Sequence, residues 1–170
     1  MEDRDATPAD GVIRKTGETF EIVFVRRLKH PIEKVWAALT VPERIADWFT
    51  QMTFTPDLRL GAAVTVTFEK PEVDGRMVAL DPPRLLAWTW PHPDHPDSVV
   101  RCELASVDGG CVLTFSQGGM SRKHLPGVCA GWHTYLEGLG EAAAGRRPPE
   151  WTPGREKVHA DRYTAKIRAL

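Results

Sequence analysis

With 170 residues the chain can bury one ordinary core and is too short for a second full domain. Its 22 basic and 23 acidic residues leave a net charge of -1 and no basic stripe to neutralise a run of phosphates, which argues against a nucleic-acid partner. No segment approaches the roughly 18 consecutive apolar residues of a membrane span. Met1-Glu2-Asp3-Arg4-Asp5 is too polar to open a secretory signal, so a soluble, cytoplasmic protein with no membrane partner is expected.

Residues 1–18 are polar, carry Pro8 and Gly11 and lack periodicity, and are expected to form a flexible N-terminal tail. From Phe20 the alternation Phe20, Ile22, Phe24 predicts a strand with one well-buried face, ending near His30. Pro31 suits a helix start, and Ile32, Val35, Trp36 and Leu39 then recur at helical spacing. Thr40-Val41-Pro42-Glu43 reads as a capping box opening a second short helix, with Ile45, Trp48 and Phe49 on its apolar side.

Strand signals follow over 52–55, 63–69, 76–80, 85–90, 99–107 and 111–116. Asp57 to Gly61, Val73-Asp74-Gly75, Asp81-Pro82-Pro83 and Asp108-Gly109-Gly110 supply the reversals between them. Short turns between successive strands imply an antiparallel meander. One face carries Val64, Val66, Phe68, Leu86, Trp88, Trp90, Cys102, Leu104, Leu113 and Phe115. A two-residue turn at Asp108-Gly109 pairs Cys102 with Phe115 and Cys111 with Ser106. Cys102 and Cys111 then lie roughly 13 Å apart along the strands, too far to bond. With three cysteines and no CxxC spacing, reduced buried thiols are expected.

Gly118-Gly119 reads as the end of the sheet, and a long helix follows from about Leu125 to Ala144. Val128, Trp132, Tyr135, Leu136 and Leu139 fall at i, i+4, i+7, i+8 and i+11, along one side of it. Gly145 to Pro149 breaks the chain, and the extension 146–170 has a moderate helical pattern in Val158, Arg162, Ala165 and Leu170. The fold class expected is α+β, a curved antiparallel sheet of about seven strands wrapped on a long helix. One helix lying in a concave sheet often leaves a cavity.

The order strand, two helices, six strands, long helix resembles the START-like or helix-grip superfamily, also labelled SRPBCC. Within it the residues look like the family similar to the activator of the heat-shock chaperone ATPase. The segments that carry the resemblance are Pro31 to Thr40 with Pro42-Glu43 and Trp48-Phe49, then Leu80 to Leu86 with Trp88 and Trp90, and Gly131-Trp132 with Leu136 and Leu139. Together they cover residues 20–144, and the expected domains are a tail over 1–18, a helix-grip domain over 19–145 and a helical extension over 146–170. The superfamily includes lipid and hormone binders, polyketide cyclases, oxygenase domains and co-chaperones, so fold analogy alone does not choose among them. The family's eukaryotic co-chaperone carries a further large amino-terminal domain that binds the chaperone, where only a short polar segment stands here.

His92-Pro93-Asp94-His95-Pro96-Asp97 is the densest group of metal-ligand types. Ligands from a single Pro- and Asp-rich stretch do not converge from separate elements, so it reads as an exposed strand connection, and no metal or other cofactor is expected. His133 lies off the Trp132 stripe and reads as a partly exposed helix histidine, the alternative being a neutral imidazole at the cavity mouth that acts as a base or bonds a ligand carbonyl, whereas Tyr135 offers a hydroxyl inside an apolar pocket. Arg101 and Glu103 point to the outer face as a cross-strand ion pair. Gly-x-Ser-x-Gly, phosphate-loop and His-Glu-x-x-His signatures are missing, which demotes hydrolase and nucleotide chemistry.

The function expected is binding of a small hydrophobic molecule by Trp48, Phe68, Trp88, Trp90, Phe115, Trp132 and Tyr135, with no catalytic residue assigned. A cyclase- or dehydratase-type enzyme and a chaperone- or regulator-interacting module are the alternatives. Self-association, if any, is expected to give a homodimer.

Overall fold

The computed structural model describes residues 9–69 and 72–170. Eight strands form one antiparallel sheet in the order β1-β2-β8-β7-β6-β5-β4-β3. They are β1 Val12–Thr16, β2 Thr19–Leu28, β3 Gln51–Thr55, β4 Ala63–Thr67, β5 Glu72–Asp81, β6 Leu85–Thr89, β7 Val99–Val107 and β8 Gly110–Met120. Helices α1 Ile32–Thr40 and α2 Pro42–Trp48 follow β2. Helix α3, Leu125–Ala143, lies in the sheet's concavity, and α4, Pro153–Arg168, packs on α3. This is the helix-grip architecture.

The meander from β3 to β8 is built by short local connections, and β2 returns to pair with β8 over Phe20 to Leu28. β8 is therefore flanked on both sides, and its alternate residues Cys111, Leu113, Phe115 and Gln117 are all buried beneath α3. The β7–β8 hairpin has the expected register, Cys102 opposite Phe115 and Ser106 opposite Cys111, with Gly109 at φ 82° in the turn. All three cysteines are free and buried.

Several local expectations are corrected. Residues 12–16 of the supposed tail form β1, paired with β2, while residues 1–8 lie outside the described residues. Val73-Asp74-Gly75 is strand rather than turn, because β5 crosses close to β6: a Cβ on Gly75 would lie 2.0 Å from the Thr89 carbonyl oxygen. Gly118 and Gly119 remain inside β8, and Gly118 pairs with Val99. The capping box does not form, since Thr40 is the last residue of α1 and its hydroxyl donates back to the Trp36 carbonyl at 2.7 Å. Val41 occupies the N-cap position of α2 with no side-chain cap. Arg101 and Glu103 pair along one strand, Nε to Oε1 at 2.7 Å, rather than across strands. The extension is helical, yet it buries Tyr163 and Ile167 while Val158 is 62% exposed.

Candidate functional site

Between the sheet and α3, a cavity of about 140 Å³ is lined by Phe49, Phe68, Trp90, Gln117, Val128, Gly131, Trp132 and Tyr135. Phe68 and Trp90 stand just beyond the ends of β4 and β6, Gln117 projects from β8, and the last four residues come from α3. Phe49 follows α2 and turns its ring inward. Its centroid is 4.9 Å from both Trp132 and Tyr135, 5.8 Å from Phe68 and 6.4 Å from Trp90. The rings meet mostly tilted or edge to face, arrangements that aromatic quadrupoles favour.

Four of the seven expected residues, Phe68, Trp90, Trp132 and Tyr135, are brought together in this wall. Phe115 lies behind it, its ring 4.5 Å from Trp132. Trp88 is buried in the core, and its indole N–H has no hydrogen-bond partner among the described residues. Trp48 donates to the Ala38 carbonyl at 2.7 Å and borders a neighbouring cleft of about 190 Å³ instead. Asp47, Arg147, Glu150 and Arg155 make that cleft charged, whereas Phe49 and Tyr135 line both spaces and form the partition between them.

Four lining residues, Phe49, Gln117, Val128 and Gly131, lie outside the expected set. Phe49 is the hub of the ring cluster, and its position beside Trp48 at the end of a short helix was the available signal. Gln117 continues the inward alternation of Leu113 and Phe115, a period-two signal hidden by ending the strand at Ser116. Its Oε1 accepts from the Trp132 indole at 2.7 Å, and its Nε2 donates to the Ser98 hydroxyl at 2.9 Å. An amide carries two N–H groups, so one donor remains for the cavity.

His133 is a correction: it is 0% exposed, because α4 lies across the side of α3 that carries it. Its ring stacks on His159 at 3.9 Å, and its Nδ1 is 2.8 Å from the Tyr163 hydroxyl, which accepts from the Gly11 amide. Glu137 sits between His159 Nε2 and Arg155, and Arg162 joins His159 Nδ1 to Asp10. Burial, followed by the neighbouring His159 and Arg26 charges, pushes His133 down to about 4. The network clamps α4 and the start of β1 onto α3. It faces away from the aromatic cavity, so none of its members enters the cavity wall.

A family model described as activator of Hsp90 ATPase homolog 1-like protein matches residues 29–144, which hold α1 to α3 and the whole cavity wall. The chain belongs to this family. Among solved structures, CalU16 from Micromonospora echinospora is similar in both its crystal and solution forms. The crystal form has 26% identity and a TM-score of 0.76 over 96% of this chain and 99% of that one. The solution form has 25% identity and a TM-score of 0.77 over 99% of each. Protein MLL2253 from Mesorhizobium loti is 28% identical, with a TM-score of 0.67 over 74% of this chain and 97% of that one. No curated protein matches in sequence. The alignment with CalU16 runs through nearly the whole chain and so takes in β1, β2 and α4, the elements outside the Hsp90-ATPase-activator-like segment.

Proposed function

We propose that this protein binds a small hydrophobic or aromatic molecule, one ring of which enters the space between the sheet and α3. The observation that carries this reading is the cavity itself: aromatic walls, about 140 Å³, and one amide at its edge. An apolar cavity of about 150 Å³ stays dry and takes up benzene, so the volume suits a single ring or the apolar end of a longer molecule. Apolar burial at roughly 25 cal/mol per Å² supplies the affinity. The remaining Gln117 N–H and the Tyr135 hydroxyl orient a carbonyl or hydroxyl on the ligand. Burial, and then the Glu156 charge, push the Tyr135 hydroxyl up, so it acts as a hydrogen-bonding group rather than a base. Among the described residues the lining contains no carboxylate, imidazole or thiol, which favours binding over cyclase-type chemistry.

Gly131 provides the test, since a Cβ there meets nothing within 4 Å and points into open space. Toluene, phenol and 2-naphthol are titrated while tryptophan fluorescence and backbone amide NMR shifts are followed. Saturable quenching is expected, with shifts confined to residues around Trp90, Trp132 and Gln117. Gly131→Leu should fill the space and abolish the response while keeping the helix, as Leu is the better helix former by roughly 0.8 kcal/mol. A flat titration in the unmodified protein, or undiminished binding in Gly131→Leu, overturns the reading.

A further inference from the structure

The β6–β7 connection and the entrance to α3 bring three imidazoles together. His92 and His95 stand in the connection, and His124 ends the 3-10 turn Arg122–His124 that leads into α3. Their ring centroids are 4.5, 4.7 and 5.2 Å apart. One donor nitrogen from each ring lies within 4.8 Å of the other two. The histidine-proline-aspartate segment thus gains the second element that its sequence alone could not supply.

Two further features single out this cluster. His95 is 6% exposed, and its Nδ1 is buried with no hydrogen-bond partner among the described residues. His124 Nε2 lies 2.7 Å from Asp94 Oδ2, where a carboxylate fixes the ring and leaves Nδ1 to face a ligand. Lys123 approaches the same carboxylate oxygen at 3.8 Å and is 80% exposed, so its charge stays on the solvent side. The remaining contact is from the Asp94 amide to His92 Nδ1, at 3.1 Å and exposed, which water can replace.

We propose that His92, His95 and His124 form a binding site for a first-row divalent transition metal, with Asp94 orienting His124 from behind. Neutral imidazoles suit zinc, copper and nickel. With metal–nitrogen bonds of about 2.05 Å, three imidazoles in a tetrahedral set have centroids about 5 Å apart and donor atoms about 3.3 Å apart. The centroids already satisfy this spacing, and rotation of the less buried His92 and His124 rings brings the donors in. A fourth position is left to water or to an oxygen of a bound molecule. His92 follows Trp90 by two residues and His124 precedes Val128 by one helical turn, which sets the cluster beside the aromatic cavity. The site is independent of whether that cavity holds a ligand.

Among the described residues, His133, Glu137 and His159 form the other grouping of metal-ligand types. Arg155 is already bonded to Glu137 and Arg162 to His159 Nδ1. Those guanidinium charges oppose a cation, so this second grouping serves as the internal control.

The experiment titrates the metal-free full chain with Zn²⁺ by calorimetry and with Co²⁺ by visible absorption. One equivalent of Zn²⁺ should bind with a dissociation constant below about 10 μM, and Co²⁺ should give the intense bands of a four-coordinate ion. His124→Ala, outside the histidine-proline-aspartate segment, should weaken both by at least about tenfold, equivalent to 1.4 kcal/mol. Asp94→Asn should weaken them less, and His159→Ala should leave them unchanged. Far-UV circular dichroism verifies that each variant is folded, and His92→Ala replaces any variant that is not. Absence of one-to-one binding overturns the site. So does binding that ignores both His124→Ala and His92→Ala, or that is lost in folded His159→Ala.

Discussion

Truncation of Trp132 probes the packing between α3 and the sheet most directly. The side chain is 5% exposed, and its ring lies 4.5 Å from Phe115, 4.9 Å from Phe49 and 5.5 Å from Trp90. Removing a buried Trp side chain costs about 3 to 5 kcal/mol. Trp132→Ala also strips the indole donor from Gln117 Oε1, which is buried at 1% residue exposure. An orphaned buried acceptor adds about 1 to 3 kcal/mol, at the low end here because deleting the indole itself opens room for a water beside the amide. The expected total is about 5 kcal/mol, against a whole-protein stability of roughly 5 to 15 kcal/mol. Trp132→Phe keeps one aromatic ring but loses the N–H and two buried ring carbons, so it should cost about 2 to 3 kcal/mol. Urea unfolding followed by far-UV circular dichroism measures both, with His92→Ala, half-buried in the β6–β7 connection, as a control expected within about 1 kcal/mol of the parent. A loss below about 2 kcal/mol for Trp132→Ala, or equal losses for the two Trp132 variants, would refute the division between packing and hydrogen bonding.

Burial holds His133 neutral in the fold at about 4, whereas the unfolded chain returns it to 6.5. The unfolded state therefore binds the extra proton between those values, and stability should fall by about 3 kcal/mol as pH drops from 6.5 to 4. Asp10, held low chiefly by Arg162, begins to cost stability only below its unfolded value of 3.8, so the two windows separate; a pH series in which His133→Asn keeps the same slope would contradict this. Tyr163→Phe removes the acceptor of the Gly11 amide and the partner of His133 Nδ1, and should cost about 2 kcal/mol. Faster exchange of the Gly11 amide in hydrogen-exchange NMR is the accompanying sign, and unchanged exchange would exclude the hydrogen bond from a stabilising role. Phe49→Ala removes the partition between spaces of about 140 and 190 Å³, which together reach the roughly 300 Å³ at which small-molecule sites begin. It should lower stability by about 2 kcal/mol yet bind 2-naphthol more tightly than phenol, and calorimetry showing no change in that preference would argue against a Phe49 partition.

Periodicity made the elements legible. Leu113 and Phe115 announce a buried strand face, and Trp132, Leu136 and Leu139 announce the gripped side of α3, because each pattern is fixed by the repeat of its own element. Asp108-Gly109 likewise set the β7–β8 register, since a two-residue turn leaves no other pairing. β1 escaped because its residues are mostly exposed and it pairs along the sheet edge with only one face lightly covered. His133 was beyond reach for a different reason: its burial depends on α4 packing from outside the helix, through His159 and Tyr163. The inward turn of Phe49 and the meeting of His124 with His92 and His95 also join segments far apart in the chain. Which apolar faces must be buried was written locally, by hydrophobic spacing. Which polar groups meet there, and whether the aromatic face encloses space, depended on how separate elements close on one another in three dimensions.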